Sequence, residues 1–330
     1  MVIVIALLAL VVVFVAARAW GDGLRGERYA QVQWLRDRVL GPRAPEPAVD
    51  GFTLVEVEHD GRARHYYYYI PDAATDQPPL VIGLHGGGGN AQDFGRRTRI
   101  KKMAEKYGYI IVLPQGAGSG GRRGSWNANS TVGLDYAEKN QVDDVGFVAA
   151  ILDQMAVTVA YDTARVYATG MSKGGMMAYY LACRIPERLA AIAPVAGTLS
   201  AQSCDPGTTG VALLHIHGTK DENVPWKGGA GKLSRRGANW PAVQPGIDLF
   251  SRANQCDMNT TSQRIAKDVV CMTRSCKSRY SVEVCVVEGG GHAWPGTLPA
   301  RWQRRTNTYV SPHFDATDYI GAFFARHARG

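Results

Sequence analysis

The segment Gly170-Met171-Ser172-Lys173-Gly174-Gly175 restricts the fold of this chain more than any other. A β-rich run, Arg165-Val166-Tyr167-Ala168, leads into it, and a helical run from Met176 to Cys183 leads out. A Gly-x-Ser-x-Gly turn between a strand and a helix has the form of a nucleophile elbow. Its serine is held at strained backbone angles with Oγ clear of the sheet and the positive end of a helix beneath it. The flanking glycines are required because a Cβ there would collide with the neighbouring strand and helix. With 38 glycines in 330 residues, roughly 0.2 such matches are expected by chance, so the flanking strand and helix carry the weight of the assignment.

The rest of the chain supplies elements that fit around such a turn. Residues 52–58 and 62–70 alternate about Asp60-Gly61, which predicts an N-terminal β-hairpin. Of the tyrosines Tyr66 to Tyr69, two are expected to cover the core and two to sit near the surface. Leu80–Leu84 and Tyr109–Leu113 are short continuous apolar runs, as in strands buried on both faces. Between them a helix is expected around Ile100–Tyr107. Val148, Ile151, Leu152, Met155 and Val159 mark one helix face after Asp143-Asp144, whose charges suit a helix start. Strands at Leu189–Val195 and Val211–His217, a helix near Ile247–Ala253, a hairpin over residues 269–287 and a last helix at Ala316–Arg326 complete the alternation. This is an α/β chain with a mostly parallel central sheet and helices on both faces.

Val2 to Ala17 are almost unbroken apolar, short for a membrane span and suited to a signal-peptide core. Ala17-Arg18-Ala19 fits a cleavage pattern with Trp20 as the mature start. The missing positive n-region and the arginines at 18, 25 and 28 leave an uncleaved anchor as the alternative. The expected organisation is a signal peptide or anchor over 1–19, a spacer with a short amphipathic helix (Tyr29, Val32, Leu35, Val39) over 20–48, and a catalytic domain over 49–330. Export to the periplasm or medium is favoured, with membrane contact only through residues 2–17 if they are retained. The six cysteines agree with export: all follow residue 180, their number is even, and no Cys-x-x-Cys pair suggests zinc. Sequence alone leaves their connectivity open. The pairs expected are Cys183–Cys204, Cys256–Cys276 and Cys271–Cys285, the last because the hairpin would set those positions opposite each other. The formal charge of +8 is scattered, without runs or nucleic-acid reader motifs, and is read as a solvated surface with no nucleic-acid partner.

An elbow serine needs a base, an orienting acid and donors for an oxyanion. His292, in the loop Gly289-Gly290-Gly291-His292 after a strand, is the favoured base over His313 and over His215 and His217, which lie within a strand. Asp221, in the turn Gly218-Thr219-Lys220-Asp221, is the favoured acid, giving the chain order serine, acid, histidine. His85-Gly86-Gly87-Gly88-Gly89 follows Leu80–Leu84 directly. It is an oxyanion loop in which the amides of Gly86 or Gly87 would join that of Lys173. Trp126, Trp226 and Trp294 are candidate substrate platforms, with packing as their ordinary alternative. A metal-dependent deacetylase built on His215, His217 and Asp221 is a competing assignment, but it leaves the elbow and glycine loop unexplained. A non-catalytic binding protein on the same fold is another, and it leaves an intact triad without a role.

Taken together, residues 84–89, 170–178, Ala193-Pro194-Val195-Ala196-Gly197, His217-Gly218-Thr219-Lys220-Asp221 and residues 288–296 resemble the exported esterases related to polyhydroxybutyrate depolymerases and feruloyl esterases, in the α/β-hydrolase superfamily. The likeness runs over about residues 50–326. It implies the α/β-hydrolase fold, Ser172, Asp221 and His292 as a triad, and carboxylic-ester hydrolysis with neither cofactor nor metal. The ester would be a polyester oligomer of the 3-hydroxybutyrate type or a feruloyl or acetyl ester of a plant polysaccharide. Two departures stand out. Lys173 follows the serine where the family more often has a small or neutral side chain, and is expected either to attract carboxylate-bearing substrates or to point into solvent. Depolymerases of this kind often carry a polymer-adsorbing module after a linker, and the expectation of none here favours soluble oligomers or polysaccharide side groups over crystalline polyester.

Overall fold

The structure, a computed structural model, describes residues 48–329 apart from 49, 121, 131, 133–134, 201–203, 205–209, 235–237 and 277–279. The expected leader or anchor over 1–19 and, Ala48 apart, the spacer over 20–48 lie outside those residues. Among the described residues no helix is long and apolar enough to cross a membrane.

The hairpin forms as β1 (Thr53–His59) and β2 (Arg62–Tyr69), with Asp60 and Gly61 at φ 51° and 65°. Positive φ at both turn residues matches the right-handed twist of the strands, which Asp-Gly tolerates well. Tyr66 and Tyr67, on opposite faces, are both buried, whereas Tyr68 and Tyr69 are half-buried. The two covered tyrosines are therefore neighbours, because helices overlie both faces of this part of β2.

The buried strands are β3 (Leu80–Leu84), β4 (Ile110–Pro114), β5 (Val166–Met171), β6 (Ala191–Val195) and β7 (Ala212–Gly218). They are followed by β8 (Cys256–Ala266), β9 (Val269–Cys276) and β10 (Val282–Val287). The ten-stranded sheet has the order β1-β2-β4-β3-β5-β6-β7-β10-β9-β8. From β4 to β10 neighbouring strands are parallel, and the antiparallel pairs lie at the two margins. On one face pack α4 (Asp144–Val159), α5 (Lys173–Arg184) and α6 (Val243–Ala253). On the other pack α1 (Ala91–Thr98), α2 (Ile100–Tyr107) and α8 (Ala316–Phe324). Two short helices, α3 (Tyr136–Lys139) and α7 (Arg301–Arg305), lie in loops above the sheet.

The chain passes from β3 to β4 on one side and returns to β5 on the other, so strand order reverses between β3 and β5. At such a switch point the loops leaving two parallel strands diverge and open a crevice at their carboxyl ends. Leu84 pairs in register with Gly170, which sets the glycine loop beside the elbow.

Besides the short loop helices α3 and α7, two elements are additions to the expected pattern. Helix α1 lies just beyond the glycine run, and β8 (CDMNTTSQRIA) is polar because it is an exposed edge strand with no core-facing alternation. Three disulfides join Cys183 to Cys204, Cys256 to Cys276 and Cys271 to Cys285. The second ties β8 to β9, and the third ties β9 to β10 at directly opposed positions.

One buried ion pair joins hairpin, loop and helix. Arg64 on β2 donates to Asp144 Oδ1 at 2.7 Å, and the Asn127 N–H donates to Oδ2 of the same carboxylate at 2.7 Å. Both side chains are almost wholly enclosed. Burial pushes the Asp144 carboxyl upward against the opposing pull of Arg64, and removing one partner would strand the other charge in the core. Arg64→Met is expected to cost about 3–5 kcal/mol, read as a lower urea midpoint at constant slope. Arg64→Met/Asp144→Leu is expected to regain most of it, and a double variant no more stable than the single one would contradict the pairing.

Candidate active site

Ser172 lies between the end of β5 and the start of α5 with φ 58° and ψ −121°, a conformation that an L-residue keeps only when its surroundings over-determine it. Those surroundings are visible. The Ser172 N–H donates to Val195 O at 2.8 Å, and its carbonyl accepts from Met176 N–H at 2.9 Å. A Cβ on Gly174 would come within 2.1 Å of Leu84 O, and one on Gly170 within 2.6 Å of the same oxygen. Only glycine lets the first turn of α5 sit on the end of β3. The N–H groups of that first turn, beginning at Lys173, have no intrahelical acceptor.

The glycine loop is aimed by His85, which is buried. The Gly116 N–H can only donate, so His85 Nε2 accepts it at 2.9 Å and Nδ1 carries the proton, donating to Gly86 O at 2.8 Å. Burial lowers this imidazole to about 4, against the opposing hydrogen bond to Gly86, so the ring is neutral and its tautomer defined. Gly86 O also accepts from Gly89 N–H at 2.9 Å. In a trans peptide the N–H points opposite to the C=O, so the Gly87 N–H is turned away from His85. Residues Gly86 to Gly89, Ser172, Lys173 and His292 all line one cavity of about 480 Å³.

His292 Nδ1 and Asp221 Oδ2 are 2.8 Å apart, with both residues buried. Asp221 Oδ1 accepts from the N–H groups of Asn223 and Val224, each at 2.8 Å. Burial pushes the Asp221 carboxyl up, but His292, His217 and the Val224 amide together hold it below the ordinary carboxylate value. An ionised acceptor fixes the proton of the imidazole on Nδ1 and leaves Nε2 as the basic atom. Gln303 Nε2 donates to His292 O at 2.9 Å, steadying the histidine loop from α7. His313 is exposed and is not among the residues lining the cavity.

His215 and His217 serve another purpose. His217 Nε2 lies 2.8 Å from Val224 O, which can only accept, so His217 Nδ1 must accept from His215 Nε2 at 3.1 Å. His215 Nδ1 then accepts from Tyr179 OH at 2.8 Å. Burial, with the neighbouring His217 adding to it, lowers His215 well below the usual histidine value. Burial also lowers His217. Both rings are neutral, and all four nitrogens are engaged. The metal-site arrangement of His215, His217 and Asp221 therefore lacks free imidazole lone pairs.

Three expectations need correcting. Lys173 neither meets solvent nor reaches substrate: its ammonium is buried, 2.5 Å from Glu138 Oε1, 2.7 Å from Ser130 Oγ and 3.8 Å from Asp135 Oδ2. Trp126 is fully buried and donates from Nε1 to His85 O at 2.7 Å, supporting the glycine loop from behind. Trp226 packs edge-on against His215 and His217. Of the three expected platforms only Trp294 lines the cavity, where it is joined by Trp240 and the more exposed Trp302. Trp302 sits in Arg301-Trp302-Gln303-Arg304-Arg305, a stretch with no sequence signal for a cleft.

Comparison with known proteins places this geometry in context. A family model described as Esterase PHB depolymerase matches residues 64–207. NocK of Nocardia uniformis subsp. tsuyamanensis, which bears the name of an esterase, is 30% identical over 284 residues, covering 79% of this chain and 79% of its own. Feruloyl esterase B of Piromyces equi is 27% identical over 220 residues, 65% of this chain but 39% of that protein's length. Among solved structures, the acetyl xylan esterase from Aspergillus awamori superposes with a TM-score of 0.52 at 17% identity, covering 77% of this chain and 98% of that one. At that identity the likeness concerns the fold, which is the α/β-hydrolase fold.

The burial of Lys173 has a measurable consequence. Lys173→Met would leave the Glu138 carboxylate enclosed without its counter-charge, at a cost of about 3–5 kcal/mol. The expected readouts are a lower urea midpoint and faster limited proteolysis between residues 116 and 138. An unchanged midpoint with unchanged cleavage would mean that the ammonium faces water.

Proposed function

The chain belongs to the esterase family of the polyhydroxybutyrate depolymerases, and from that premise we propose that Ser172, His292 and Asp221 hydrolyse carboxylic esters through an acyl-enzyme. The observation that carries the reading is the 2.8 Å contact between His292 Nδ1 and Asp221 Oδ2 on the wall of the cavity that Ser172 also lines. His292 Nε2 takes the Ser172 proton as Oγ attacks the ester carbonyl. The negative oxygen rests on the backbone N–H groups of Gly86 or Gly87 and Lys173, at the positive end of α5. The C–O bond then breaks, and the alcohol leaves with the proton from His292. Water enters, gives a proton to His292, attacks the acyl carbon and releases the carboxylic acid, returning Ser172 to its hydroxyl form.

The substrate class follows from the cleft and from the relatives. A cavity of about 480 Å³ bordered by Trp294, Trp240 and Trp302 suits an aromatic acyl group, a sugar ring or a short oligoester. One named relative bears the name of a feruloyl esterase and the matching family model that of a polyhydroxybutyrate depolymerase esterase, so this chain is assigned esters of plant polysaccharides or oligomers of 3-hydroxybutyrate type. Three disulfides suit an oxidising compartment, which supports export, with residues 2–17 as leader or anchor.

Ser172→Ala is expected to abolish hydrolysis of p-nitrophenyl acetate while leaving the urea midpoint within experimental error. Asp221→Asn is expected to lower kcat by about 10⁴, with little change in KM. Activity in the serine variant comparable to the parent would end the assignment. A panel of methyl ferulate, acetylated xylan and hydroxybutyrate oligomers, compared by kcat/KM, identifies the preferred acyl group.

A further inference from the structure

We propose that the cleft selects esters that carry a carboxylate near the scissile bond, held by Arg97 and Arg123. This deepens the esterase reading and rests on it. Both arginines line the cavity that contains Ser172, and both are exposed. The arginines on either side of Arg97 are engaged elsewhere. Arg96, beside Arg97 in the last turn of α1, pairs with Asp93, and Arg99 donates to Gly296 O at 2.5 Å and lies 3.5 Å from Asp315. Among the described residues no carboxylate forms an ion pair with Arg97 or Arg123.

The acids of the cavity wall are already matched. Asp93 holds Arg96 and accepts from Asn90 Nδ2 at 3.3 Å, while Asp135 lies 3.8 Å from the Lys173 ammonium. The wall therefore keeps two cations without counter-charges, in a concave site where field lines are focused more strongly than on an open surface. Their backbones are fixed. Arg97 is helical, and the residue after Arg123 is bridged to the glycine loop: Gly124 N–H donates to Gly89 O at 2.9 Å and Gly124 O accepts from Gly88 N–H at 2.8 Å. Arg123 is thereby tied to the same loop that supplies Gly86 and Gly87.

A guanidinium presents a planar fork of donors that matches a carboxylate. Two kinds of ester offer that group close to the reacting carbonyl: a hydroxy-acid oligomer at its acid end, and an acylated uronate within a polysaccharide. The chemistry recognised is shared, and the two sources are separable by experiment. Because the arginines act at the rim, they would change capture of the substrate and not the bond-breaking step, so their effect belongs in KM.

The test compares matched esters differing in one charge: 4-carboxyphenyl acetate against 4-carbamoylphenyl acetate. The parent enzyme at low salt is expected to favour the carboxylate by roughly tenfold in kcat/KM, carried by KM. Raising ionic strength to about 0.5 M, where the Debye length falls well below 10 Å, should erase most of that preference. Arg97→Gln/Arg123→Gln should bring the ratio close to one, and Arg97→Lys/Arg123→Lys should restore part of it. The same ratio measured with a hydroxybutyrate dimer as acid and as amide, and with acetylated glucuronic acid against acetylated glucose, assigns the source. A ratio that is the same in parent and double Gln variant, or indifferent to salt, overturns the proposal. Failure of the parent to turn over either acetate overturns instead the esterase reading beneath it.

Discussion

The absence of a side chain at Gly174 is the constraint on which the site depends. Its notional Cβ would stand 2.1 Å from Leu84 O and 2.6 Å from His85 O, so any larger residue would have to push α5 off the end of β3. Seated as it is, the helix brings the loops after β3 and β5 into contact. A Cβ on Gly86 would be 3.7 Å from that of Ser172, and one on Gly87 would be 3.5 Å from that of Lys173. The strained serine and the donors proposed for its oxyanion are thus consequences of one close approach. Strain at Ser172, of order 1–3 kcal/mol for such a conformation, persists because Val195, Met176 and the abutting Gly197 leave the backbone nowhere to relax.

Around this contact the polar groups follow one electrostatic rule. A charge removed from water must meet its opposite, and a titratable group without one must be neutral. Lys173 is enclosed with Glu138 and Arg64 with Asp144, whereas the Asp221 carboxylate is held by hydrogen bonds from His292 and two amides. His85, His215 and His217 have no such counter-charge strong enough to offset burial, and they are neutral. Each solution also anchors a loop. Glu138 accepts from Lys173, Ser130 Oγ and Ser130 N–H, which fastens the segment between β4 and α4 to the elbow helix. Lys173 thus acts on this loop, and substrate has no access to its charge.

Much of this was legible in the sequence, and the exceptions share a cause. Continuous apolar runs such as Leu80–Leu84 become fully buried strands because both faces are covered, so hydrophobicity alone located them. The Asp60-Gly61 turn needed no tertiary information, since its backbone angles follow from the residue types. Edge strand β8 was invisible because residues 259–264 face water, so that strand pairing and not burial keeps them extended. Lys173 could not be placed because its partner lies 35 positions earlier in a loop without periodicity. The tryptophans show the same limit. Residue type says that a tryptophan will be covered, but only the fold decides whether protein covers it, as at Trp126, or a cleft remains beside it, as at Trp302.

The acid of the site is positioned from the core and not by its loop alone. Val224 donates its N–H to Asp221 Oδ1 and accepts, through its carbonyl, from His217 Nε2. His217 is bonded to His215, and His215 to the hydroxyl of Tyr179, which projects from α5. An unbroken series of hydrogen bonds therefore runs from the helix that begins at the serine, through two neutral rings buried in β7, to the carboxylate that meets His292. His217 Nε2 faces Val224 O at 2.8 Å and Asp221 Oδ2 at 3.5 Å, both acceptors, so it carries the proton and the direction of the series is set. One helix therefore carries the serine at its start and the first hydrogen-bond partner of the acid's anchoring series along its length, although 49 positions separate Ser172 from Asp221 in the chain.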